Sequence, residues 1–118
     1  MSSAAYNRVA NQTSSPRENE ANALLKAAKQ LQGAQANWNP MRGELNSALL
    51  FNRKLWTILV SAALRDDNPQ PIAVRQNIVN IGVFVLTQTV DIHLNPTPEK
   101  LKSLIEINKN IAAGLDSR

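Results

Sequence analysis

The chain has no cysteine, one histidine, four glycines and five aromatic residues in 118 positions. Without thiols there is no disulfide scaffold, thiolate zinc site, iron–sulfur cluster or cysteine nucleophile. His93 is the only imidazole, and its nearest carboxylate, Asp91, lies two positions away. Residues two apart on a helix do not share a face. No serine, lysine or second histidine stands in nucleophile–base spacing, and glycine-rich phosphate loops are absent. The nine carboxylates show no ligand cluster and no pair whose pKa values burial would drive apart. These absences predict a protein that is not an enzyme and uses no cofactor, metal or small-molecule substrate. His93 is expected on the surface or at a helix end, where positive charge suits the dipole.

Long apolar runs are missing as well. The longest, Ile78 to Leu86, covers nine residues and contains Asn80, whereas a membrane-spanning helix needs about twenty. No membrane insertion is therefore expected. Met1 to Tyr6 carries neither the charged nor the apolar block of a signal peptide, which makes the cytoplasm the expected compartment.

What is present is 43% apolar and 19% charged, a globular balance at a length suited to one domain. The net charge of +4 arises entirely before residue 76, where nine Lys/Arg face five Asp/Glu; the remainder holds four of each. The cations stand singly apart from Arg53-Lys54 and have few aromatics beside them. Phosphate tracking needs several cations on one face, so the charge reads as a solvated basic surface, and nucleic acid ranks low among partners.

Proline organises the chain. All six prolines fall at element starts or in connections, and the first helical position tolerates proline because its N–H would be unpaired there anyway. Ser15-Pro16-Arg17-Glu18 reads as an N-cap, an N1 proline and the glutamate of a capping box. Asn39-Pro40, Asn68-Pro69-Gln70-Pro71 and Thr97-Pro98 read as further starts. Apolar residues follow helical spacing in Ala21, Leu24, Ala28, Leu31, then in Leu45, Leu49, Trp56, Leu59, Ala63, widened by Leu55 and Ile58. The last segment shows Leu101, Leu104, Ile105, Ile111, Ala112, Leu115, with Gly114 as the expected C-cap. Residues 72–94 have strand-like composition at their centre, but length and a proline start favour a helix apolar nearly all round, the central buried element. Gly82 would let a neighbour approach that helix closely.

The expected fold is all-α: a single-domain antiparallel bundle of four main helices, at about 16–36, 40–65, 71–93 and 98–114. A short helix over about residues 3–11 would precede them. Residues 1–14 form a separate N-terminal segment, mobile or docked through Tyr6. Asn37-Trp38-Asn39, Asp66-Asp67-Asn68 and Asn95-Pro96 are connections short enough to make antiparallel neighbours.

Two amides lie on apolar stripes: Asn52 between Leu49 and Trp56, and Asn108 between Leu104 and Ile111. A buried amide without partners costs about 1–3 kcal/mol, so both should be paired. They either fix helix register, as polar residues do on coiled-coil seams, or line a groove that receives a partner helix. Trp56 is either a core residue or, with Arg53 one turn before it, an interface anchor. Trp38, in a connection, needs local packing or a partner.

Ala5-Tyr6, Ser15-Pro16-Arg17-Glu18-Asn19-Glu20, Asn52-Arg53-Lys54-Leu55-Trp56 and Leu104-Ile105-Glu106-Ile107-Asn108 with Ile111, Gly114 and Leu115 resemble, in order and over nearly the whole chain, the FlaF family of alphaproteobacterial flagellar proteins. The chain departs from the family in its polar filling, with fourteen asparagines. The resemblance implies a cytoplasmic helper that promotes flagellin synthesis and export, binds flagellin as a secretion chaperone and works alongside FlbT, a post-transcriptional regulator. It implies no catalytic residues. A helical chaperone would cover an amphipathic flagellin segment by helix-in-groove binding, and the candidate contacts are Tyr6, Asn52, Arg53, Trp56, Ile107, Asn108 and Ile111. The alternatives are an adaptor acting through FlbT without sustained flagellin binding, and direct messenger RNA binding by the basic face.

Overall fold

The computed structural model describes residues 15–41 and 43–116. Four helices follow one another: α1 (Pro16–Ala36), α2 (Gly43–Leu64), α3 (Ile72–Leu94) and α4 (Leu101–Asp116), the last entered through a 3-10 turn at Pro98–Lys100. No strand occurs among the described residues, so the expected all-α bundle is the observed one. The short helix expected over residues 3–11, and Tyr6, lie outside the described residues.

Each helix starts and stops for a local reason. Ser15 accepts the Glu18 N–H on its hydroxyl at 3.0 Å, the expected N-cap of α1, and Pro16 occupies the first turn. At Asn39-Pro40 the chain does something else. Asn39 Oδ1 accepts the Met41 N–H at 3.0 Å, closing a turn, and α2 begins three residues after Pro40, at Gly43. Asn68 works at the next connection, donating to the Ala62 carbonyl (2.8 Å) and accepting from the Gln70 N–H (2.8 Å). Arg75, in the first turn of α3, donates to the Ala63 and Arg65 carbonyls at 2.8 and 2.6 Å. A guanidinium there satisfies carbonyls that the end of α2 leaves free and complements its dipole. Arg65 in turn holds both oxygens of Asp67 (2.9 and 2.7 Å), which keeps that carboxyl below the usual carboxylate range. That pair is largely exposed and adds little to stability. Gly114 is not a C-cap: α4 continues to Asp116, and no described glycine has a positive φ.

The core joins the expected stripes of α1, α2 and α4, with Ala27 and Ala34 added on α1, Ala48 on α2, and Val85 and Ile92 from α3. Alanines at four buried positions of α1 let it lie close to its neighbours. α1 packs most extensively on α4, less on α2, and α2 packs on α3. Trp38 folds back against this core, so local packing accounts for it. Ile58, expected to widen the α2 stripe, is instead exposed.

α3 corrects two expectations. It is peripheral, not central: it buries Gly82, Val85, Thr89 and Ile92 and leaves most of its other apolar residues in solvent. It scarcely touches α4 despite the short connection, because the strongly one-sided stripe of α4 is taken by α1. It is also long and apolar enough, by length and composition alone, to cross a membrane. The nine-residue run hid this, because Val90, Ile92 and Leu94 extend the apolar content beyond Thr87. Here α3 is packed as part of the bundle, with Arg75 tied to α2 and Asp91 paired with Lys100 at 2.9 Å.

Gly82 sets how closely α3 approaches α2. A Cβ there would collide with the Val60 side chain and stand 3.5 Å from Trp56 Cε3. Val60 is β-branched and stiff, so it cannot simply swing aside. Gly82→Ala should lower stability, since overpacking by about 1–3 kcal/mol outweighs the roughly 1 kcal/mol gain in helix propensity. Urea unfolding of Gly82→Ala and of Gly82→Ala/Val60→Ala checks this. The double variant should recover part of the loss, whereas a Gly82→Ala chain more stable than the native one would show that the contact sets nothing.

Candidate functional site

Two features stand out from the helix scaffold, one buried and one exposed. The buried one joins the residues singled out in the sequence. Trp56 Nε1–H donates to Asn108 Oδ1 at 2.9 Å, and Asn108 Nδ2 donates to Asn52 Oδ1 at 2.7 Å. The order is forced by chemistry. An indole N–H can only donate, so it turns the Asn108 oxygen toward Trp56 and the Asn108 amine toward Asn52. Asn52 must then present its oxygen, and its buried Nδ2 has no partner among the described residues. All three side chains are 0% exposed.

This bridge spans helices whose backbones are not close neighbours, α2 and α4. A shift of either helix by one residue would separate donor from acceptor. The pairing is the register-fixing arrangement, and Trp56 is core. Asn52, Trp56 and Asn108 were expected to touch a partner; enclosed as they are, they offer it no surface in this fold. Arg53 points to solvent, and Ile107 and Ile111 are half-buried against the core. The seven expected contacts are therefore not one patch: three form the bridge, Arg53, Ile107 and Ile111 lie outside it, and Tyr6 is outside the described residues.

The exposed feature is the outer side of α3. At about 100° per residue, Ile72, Val83, Val90 and Leu94 fall within some 40° of one another, opposite the buried stripe. Their exposures are 76%, 57%, 58% and 72%. Half-buried Val79 and Leu86 border the stripe, and Gln76 and Thr87 interrupt it without charge. Phe84 is also exposed, on a neighbouring side of the helix. The sequence reading missed this stripe as a surface. Its signal is the second set of apolar residues at three–four spacing in 72–94, which a helix apolar nearly all round makes indistinguishable from core.

The basic residues do not converge. Lys26 and Lys29 edge an open groove between α1 and α2, where Lys26 lies 5.3 Å from the centre of the Phe51 ring. Lys54 and Arg53 sit farther around α2. His93 is in the last turn of α3 and exposed, as expected. Among the described residues no three His, Asp or Glu gather where they could hold a metal ion.

The family model described as "Flagellar protein FlaF" matches residues 2–115. The chain belongs to the FlaF family. No curated protein and no solved structure matches it. The match runs through all four helices, so both the buried bridge and the outer stripe lie within the FlaF region.

The bridge yields a stability test. Trp56→Phe leaves Asn108 Oδ1 without its donor and should cost about 1–3 kcal/mol, as should Asn108→Leu, which strands the indole N–H. Replacing all three (Asn52→Leu, Trp56→Phe, Asn108→Leu) removes every polar group of the bridge at once. Chemical denaturation should find that triple variant more stable than either single one. A triple variant whose losses simply add would contradict the bridge as the unit.

Proposed function

We propose that this FlaF protein binds flagellin in the cytoplasm as a secretion chaperone and so promotes flagellin synthesis and export, without catalysing a reaction. The observation that carries the reading is the outer stripe of α3. A helix apolar on two opposite sides, with one side covered, has an apolar surface left for another chain. The terminal segments of flagellin form amphipathic helices in the filament and travel to export incompletely folded. Such a segment can lay its apolar side along Ile72, Val83, Val90 and Leu94, which delays premature polymerisation. Arg53, Ile107 and Ile111 remain candidates for the periphery of the contact.

Mixing the purified protein with flagellin and separating by size should give a co-eluting complex. Val90→Glu or Leu94→Glu, both at exposed positions, should weaken it at least tenfold, a loss of about 1.4 kcal/mol, while Arg53→Ala has a smaller effect. Equal binding by the α3 variants would remove the stripe from the site. Failure of the native protein to co-elute would contradict the chaperone reading and favour an adaptor acting through FlbT.

A further inference from the structure

We infer that, when no client is bound, the outer stripe of α3 is covered by the same stripe of a second copy, in an antiparallel two-fold pair centred on Val83. The inference rests on the stripe itself and stands whether or not flagellin is the client.

The argument is one of spacing. Ile72 and Leu94 lie eleven positions before and after Val83, Gln76 and Val90 seven, and Val79 and Thr87 four, with Leu86 beside the last. An antiparallel copy with Val83 against Val83 therefore sets Ile72 on Leu94, Gln76 on Val90 and Val79 against Leu86 and Thr87. A two-fold interface must be self-complementary in this way, each residue meeting the mirror position of its own patch. The steps of four, three and four residues through Val79, Val83, Leu86 and Val90 are those of a coiled-coil seam.

Charge does not oppose the pairing. None of the stripe residues ionises, and the acid and the arginine of α3 are engaged elsewhere. Arg75 is bonded to α2 carbonyls, and Asp91 is paired with Lys100. The area is modest. The exposed parts of the stripe amount to on the order of 1,000 Å² over two copies, at the lower edge of specific interfaces. The pair is thus a weak, concentration-dependent one, suited to being displaced by a client that makes a longer contact.

Sedimentation or light scattering over a concentration series tests this. The native mass should rise from the 13.0 kDa of one chain toward twice that value. Because position 83 meets itself, Val83→Glu and Val83→Lys should each stay monomeric, with the dimer weakened at least tenfold. Mixed in equal amounts, they should pair again, since glutamate then faces lysine. Val83 is exposed, so circular dichroism should show native helicity in both variants. A native chain that is monomeric at every concentration overturns the inference. So does a Val83→Glu dimer as tight as the native one, a mixture that fails to pair, or a monomer that binds neutral phospholipid vesicles through α3. Flagellin co-elution is scored separately: a native dimer that ignores flagellin keeps this inference and removes the chaperone reading, and a monomer that binds flagellin does the reverse.

Discussion

The fold turns on the indole of Trp56. Its N–H holds Asn108 on α4, and through Asn108 it reaches back to Asn52 on its own helix. Its ring edge lies on the other side against the space where Gly82 of α3 has no Cβ. One side chain thus connects three helices by two kinds of force: a directional donor in an apolar interior and close packing. The directional part carries the specificity. Apolar stripes alone tolerate sliding, because one leucine can replace another at the next turn, whereas a buried donor that misses its acceptor pays the full desolvation cost.

The position of α3 follows from that pivot. α1, α2 and α4 share their stripes around the indole, and α3 adds only Val85 and Ile92 to that core. Gly82 seats α3 on the flank of α2, and Arg75 fixes its start on the carbonyls that end α2. A helix with two apolar sides is thereby shown to solvent along one of them. Among the described residues nothing covers that exposed side, and none of the four residues that form the stripe carries a charge.

Much of this was legible in the sequence. The stripes of α1, α2 and α4, the Ser15 cap and the need of Asn52 and Asn108 for partners all came from spacing and chemistry local to one helix. The prolines located every connection, yet at Asn39-Pro40 and Thr97-Pro98 they began a turn and a 3-10 segment before the α-helix proper. What could not be read was which helix faces compete for the same interior. The all-round apolarity of 72–94 is compatible with a central or a flanking helix, and only the pairing of α1 with α4 decides. For the same reason Trp56 and its amides, open in the sequence between core and contact, are interior, while Val83 and Val90, which look like ordinary core residues, are on the surface.

Family membership supports a flagellar role, and the structure shows a polar lock inside and an apolar stripe outside. The most direct measurement of the lock is hydrogen exchange at the two indole N–H groups. If the Trp56 donor is a member of the bridge, it exchanges only through global unfolding, as slowly as the most protected backbone amides of α2, while half-buried Trp38 exchanges far faster. A Trp56 indole that exchanges at the rate of Trp38 would contradict the account, because the bridge would then open without unfolding the bundle and could not be what fixes it.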